Sequence, residues 1–81
     1  MKAIDRLKYG FRSKEYFISI YPDHIYVINY KDIIDFTANN IILEFNDFKL
    51  KIKGLDFKII RKNNCEIDIL GFFNSMEIIN G

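Results

Sequence analysis

One histidine, one cysteine and a row of lysines are the side chains in this 81-residue chain whose chemistry has to be weighed first. His24 follows the turn pair Pro22-Asp23, so its ring could bond the Asp23 carboxylate or share a metal with it. Zinc takes three or four ligands from His, Cys and carboxylates. Nothing else stands at a usual spacing from His24, so it reads as a turn histidine, and neither metal nor cofactor is expected. Cys65 falls on the apolar phase of a strand, where thiols are buried and inert, and no histidine stands near to activate it. There is no Gly-rich phosphate loop, no acid/base carboxylate pair and no nucleophile elbow. The residues therefore point to a protein without enzymatic activity and without catalytic residues.

Lys49, Lys51 and Lys53 alternate along one segment and share a strand face. With aromatics close in sequence, they are the material of a small barrel binding single-stranded nucleic acid. Two features weigh against that reading. Lys49 and Lys51 have expected partners in Glu44 and Asp56, and the flanking phenylalanines point to the opposite face. Twelve basic residues against eleven acidic ones leave a net charge of +1, far from the balance of a dedicated nucleic-acid binder. The charge is uneven, however. Residues 1–15 hold a local excess of +3, leaving −2 for the rest. Lys2, Arg6, Lys8 and Arg12 join the three lysines as a candidate partner surface, suited to an acidic protein or an anionic membrane. Tyr16, Tyr21, Tyr26 and Tyr30 form a candidate exposed contact cluster.

The elements that must position these residues are strands. Hydrophobic residues make up 49% of the chain, with sixteen Ile and eight Phe, which suit a pleated, half-buried surface. A single cysteine excludes an internal disulfide. Neither a secretory h-region nor an apolar run approaching the roughly 18 residues of a membrane span occurs, so the reducing cytosol is the expected compartment. Residues 1–14 lack strand character and read as a basic N-terminal arm, with one β domain over 15–81. Within it, segments 16–21, 25–30 and 33–36 carry strand signals, and 37–40 reads as a loop.

Residues 41–61, IILEFNDFKLKIKGLDFKIIR, alternate apolar and polar side chains between turn residues. A two-residue turn at Asn46-Asp47 sets Phe45 against Phe48, Leu43 against Leu50 and Glu44 against Lys49. A second at Lys53-Gly54 sets Leu50 against Phe57 and Lys51 against Asp56. A three-residue loop, Lys62-Asn63-Asn64, sets Ile59 against Ile67 and Lys58 against Asp68. All three keep the apolar face in phase. A last strand runs from Phe72 to Ile79 after a turn near Leu70-Gly71, its phase ambiguous. The expected fold is all-β, a small antiparallel meander closing into a barrel or sandwich. A short β-solenoid is the alternative, because GLDF at Gly54 and GFFN at Gly71 recur at a 17-residue offset.

Two stretches, HIYVINYKDIIDFTANNIILEF and LKIKGLDFKIIRKNNCEIDILGFFNSMEI, resemble the YabP/YqfC family of sporulation proteins, closer to its YqfC branch. The likeness rests on Asn29, the Ile33–Phe36 segment, the Ile52-Lys53-Gly54-Leu55-Asp56-Phe57-Lys58-Ile59 core, and Glu66 through Gly71 to Ile78. Phe73 departs from the pattern, which has a short apolar residue there. The resemblance implies a small, non-enzymatic protein made in the mother cell of endospore formers. It also implies action through a protein partner, in the YqfC branch a membrane protein, or through self-assembly. It supplies no catalytic residues. The mother-cell cytoplasm, with membrane association through the partner, is the location it implies.

Overall fold

The computed structural model describes residues 15–79 in full and residues 9–12 as backbone. Seven strands form one antiparallel sheet: β1 (Tyr9–Arg12), β2 (Phe17–Ile20), β3 (His24–Ile28), β4 (Asp32–Phe36), β5 (Asn40–Glu44), β6 (Lys49–Lys62) and β7 (Glu66–Ile79). Their spatial order is β1-β2-β3-β7-β6-β5-β4. The all-β expectation holds, but barrel closure does not, because β1 and β4 terminate the order instead of pairing. Strand pairing also begins earlier than expected. Tyr9–Arg12, inside the stretch read as lacking strand character, pairs with Phe17–Ile20 and runs from Tyr9↔Ile20 to Arg12↔Phe17.

The largest correction concerns the two glycine turns. Lys53-Gly54 and Leu70-Gly71 lie inside β6 and β7, each 14 residues long, which form one continuous bent hairpin. Gly54 faces Phe73 and Leu55 faces Phe72, with register shifts at Lys53/Gly54 and Leu55/Lys58. Asp56 takes φ 59° and Gly71 φ 146° in this bend. Phe57, 5% exposed, fills the inner corner. A Cβ on Gly54 would meet Phe57 Cζ at 2.5 Å, and one on Gly71 would meet Phe57 Cδ1 at 2.5 Å. Glycine is required at both positions because the ring occupies the space a side chain would take. The similar GLDF and GFFN segments are thus the two facing bends of one hairpin. The neighbouring strands are antiparallel throughout, so the solenoid alternative is set aside.

The bend divides the sheet into two halves built on one plan. β3 pairs with the start of β7, from His24↔Leu70 to Ile28↔Glu66. β5 pairs with the start of β6, from Asn40↔Lys53 to Glu44↔Lys49. The Tyr21 N–H donates to the His24 carbonyl (2.9 Å) in the β2–β3 turn, as the Thr37 N–H does to the Asn40 carbonyl (2.7 Å) in the β4–β5 turn. Each turn then hands two carbonyls to a bend. Pro22 and Asp23 accept from the N–H groups of Phe73 and Gly71, both at 3.1 Å. Ala38 and Asn39 accept from Phe57 (2.9 Å) and Gly54 (3.0 Å). Bending frees backbone amides that a flat ladder would have paired, and buried amides must find acceptors.

The halves enclose a single core. Ile18, Ile20, Ile25, Val27, Ile67 and Ile69 come from one, and Ile41, Leu43, Leu50 and Ile52 from the other, none more than 2% exposed. Tyr16 spans the join, its ring 5.1 Å from Phe45 and 5.5 Å from Phe48. The expected register at Asn46-Asp47 is present, with Glu44↔Lys49, Leu43↔Leu50 and Ile41↔Ile52. At the far hairpin it is not. The Asn63 N–H donates to the Glu66 carbonyl (3.0 Å), making Asn64-Cys65 the tip, and a bulge between Ile59 and Arg61 restores the phase. Lys58 therefore faces Leu70, and Arg61 takes Asp68. Cys65, expected to be buried, is exposed at this tip.

Candidate interaction surface

Inward side chains of the long hairpin build the core, so its outward side chains are what a partner can meet. On β6 these are Lys49, Lys51 and Lys53, then Leu55, with Lys58 beyond the bend. Leu55 and its cross-strand partner Phe72 are each 58% exposed, and Leu70 is 45% exposed. Their exposure follows from the bend. Phe57 occupies the concave side against Gly54 and Gly71, which leaves Leu55 and Phe72 standing on the convex side. Leu70 neighbours His24 across β3, and the His24 ring stacks on Tyr21 at 4.2 Å. The result is an apolar ridge flanked by Lys53 and Lys58 and by the acids Asp56 and Asp23. An exposed apolar cluster with a polar rim is the composition of a protein contact site.

The lysine row shares one face, as expected, but without the expected ion pairs. Lys49 lies opposite Glu44, and Lys51 opposite Glu77 and not Asp56. None of the three lysines comes within ion-pair distance of an acid among the described residues. Glu44 and Glu77 nonetheless flank the row and offset its charge toward a polyanion. Phe72 is the one exposed phenylalanine among the described residues, so the row lacks the succession of aromatic platforms a single strand stacks on. Lys2, Arg6 and Lys8 lie outside the described residues, and Arg12 is placed by its backbone in β1.

Other candidate residues fall into structural roles. His24 Nδ1 lies 3.0 Å from Asp23 Oδ1, the local bond its turn position suggested. The tyrosines do not form one exposed cluster. Tyr30 is buried, with its hydroxyl donating to the Asn63 carbonyl at 3.3 Å, and Tyr16, Tyr21 and Tyr26 are half-buried. On β3, Tyr26 lies beside Glu66, Arg61 and Asp68; Arg61 donates to Asp68 at 3.1 Å. Partial desolvation, then the charge and hydrogen bond of Glu66, hold the Tyr26 hydroxyl above its ordinary pKa.

The ridge is not evident in the sequence, because Leu55 falls on the apolar phase after an expected turn that is really a bend, and Phe72 lies in the last strand, whose phase is ambiguous. Exposed Ile78 (61%), in the same strand of ambiguous phase, lies opposite Leu50. It stands at the mouth of an apolar cleft between the halves, lined by Tyr16, Ile18, Phe48 and Leu50 as well. No helix among the described residues is long and apolar enough to cross a membrane. No curated protein and no solved structure matches the chain. A family model, described as the YabP family, matches residues 20–80.

Proposed function

The chain belongs to the YabP family, and from that premise we propose that it is a non-enzymatic, sporulation-associated protein-interaction module. Family membership is consistent with a sporulation role. What supports an interaction role is the apolar ridge of Leu55, Phe72 and Leu70, kept outside by the bend of the long hairpin. A side chain exposed to this degree contributes little to folding, and paired apolar residues on a convex face suit a contact with another protein. The likeness to the YqfC branch extends the proposal to a membrane-protein partner in the mother cell, bound from its cytoplasmic side.

The test is complementation of a deletion strain of the host. Without the gene, heat-resistant spore counts should collapse, and a normal count would end the sporulation reading. Complementation with L55S/F72S protein, folded and at normal abundance, should fail. Full rescue by that variant would remove the ridge from the function and leave the sporulation role standing. No observation favours nucleic-acid binding over this reading.

A further inference from the structure

Bending the long hairpin gives the sheet edges within β6 and β7 themselves. β6 pairs with β5 only as far as Lys53, so among the described residues 58–62 have β7 as their one neighbour. β7 pairs with β3 only as far as Leu70, so residues 75–79 have β6 as theirs. Proteins guard such edges with charges, bulges or inward-pointing polar side chains, because unpaired N–H and C=O groups accept any compatible strand. The β4 edge is guarded in this way. It has a bulge between Ile33 and Asp35, both its aspartates are exposed, and Asp32 Oδ1 takes the Ile33 N–H at 2.8 Å. The second half of β6 is guarded too, by the bulge between Ile59 and Arg61 and by Lys62, which lies opposite buried Ile67 and so on the inner face. The β7 edge has no such device. Residues 75–79 pair with β6 without a bulge, and Glu77 is their single charge. Their inner-face members, Met76 and Ile78, lie opposite buried Ile52 and Leu50. Ile78 nevertheless stays 61% exposed, at the mouth of the apolar cleft it shares with Tyr16, Ile18, Phe48 and Leu50.

We propose that residues 75–79 pair with the same residues of a second copy, antiparallel about a two-fold axis at Glu77. The pattern that the seat demands selects this occupant. An incoming strand must turn apolar side chains to the inner face and keep polar ones outside. Ser75-Met76-Glu77-Ile78-Ile79 meets that demand itself, setting Met76 of each copy opposite Ile78 of the other on the inner face. The second half of β6 would instead carry Lys62 toward the cleft, and β4 has a donor already taken by Asp32. Any slide that keeps the inner faces in phase leaves part of each strand unpaired. The two Glu77 side chains then face one another, each with Lys51 on the next strand, so the order across the join is Lys, Glu, Glu, Lys. The flanking lysines offset the repulsion of the carboxylates. A two-fold contact consumes both unguarded edges, so assembly closes at the dimer. This inference goes beyond the ridge reading and uses neither Leu55 nor Phe72.

The experiment is sedimentation of the full chain over a concentration series, with amide hydrogen exchange measured at both ends of the series. The wild type should pass from monomer to dimer and stop there. Exchange at residues 75–79 should slow in the dimer, and exchange in β4 should not. I78K puts a cation on the inner face, as Lys62 does on β6. Ile78 is mostly exposed, so the fold should survive, with circular dichroism as the check, and the variant should stay monomeric. E77Q removes the facing charges and should dimerise roughly two- to five-fold more tightly. A wild type that is monomeric at every concentration would overturn the proposal. So would growth past the dimer, a folded I78K that dimerises as the wild type does, an E77Q protein that dimerises no more tightly, or protection that appears in β4 instead. None of these readouts involves sporulation, so this proposal and the functional one can fail separately.

Discussion

Phe57 fills the space beside Gly54 and Gly71 that a side chain on either would need, and substitutions there have graded outcomes. G54A drives a methyl into the Phe72 carbonyl, which is backbone and cannot rotate away. In G71A the nearest atom is a ring carbon of Phe57, although φ 146° also disfavours any side chain. Each should cost about 2–4 kcal/mol in a urea melt. Adding F57L removes the ring Cε and Cζ atoms but keeps a Cδ carbon, so it should recover part of the G54A loss, the Phe72 carbonyl clash remaining, and little of the G71A loss, a difference a double-mutant cycle resolves. Tyr26 gives a second prediction at this scale. Its raised folded pKa means it contributes stability that is fully present below the unfolded value of about 10 and is lost as pH rises through the folded value. Alkaline titration should therefore destabilise the wild type more steeply than Y26F. Equal slopes would remove Tyr26 from the alkaline transition. Neither site was legible beforehand. Both depend on neighbours far apart in sequence, Glu66 forty residues from Tyr26 and Gly71 fourteen from Phe57.

At the scale of elements, legibility tracked locality. The Asn46-Asp47 hairpin was read in its correct register because alternation and turn residues agree over a dozen neighbouring positions. The Gly54 and Gly71 segments were misread because glycine marks both a chain reversal and a bend within a strand. What decides between them is outside the segment. Carbonyls of Ala38 and Asn39, and of Pro22 and Asp23, accept the bend amides, and no local pattern announces them. The Asn63 hairpin failed for a related reason. A two-residue tip put Ile59 out of phase until the bulge at Ile60 was counted, and bulges leave a faint mark in sequence. The candidate surface inherited these errors. Its lysines share the expected face, whereas Leu55 carries the core phase in sequence, Leu70 falls in an expected turn and Phe72 in a strand of ambiguous phase.

For the whole molecule, the long strands belong to both halves of the sheet, so neither half holds a complete set of neighbours alone. Unfolding should be a single cooperative transition, seen as coincident curves by fluorescence and far-ultraviolet circular dichroism. Hydrogen exchange should be slowest at Ile52, Ile67 and Ile69, in the hairpin core, and fastest in β4, which has one neighbour and a bulge. Exchange from β7 that tracked local opening of one half would contradict this. The all-β class and the alternation that builds the core could be read directly from the chain. That the sheet stays open could not, since closure depends on how sharply β6 and β7 fold over.

The turns themselves divide into two kinds with different tolerance for added length. The turn at 46–47 bonds within its own hairpin, so extra residues there would loop into solvent, whereas the tip at 64–65 also receives the Asn29 N–H and the Tyr30 hydroxyl. Those at 22–23 and 38–39 act as struts that hold the elbow of the long hairpin at its angle. An epitope tag spliced into the first kind leaves the architecture alone, whereas one spliced into the second lets the elbow relax and lifts the lid off the isoleucine core.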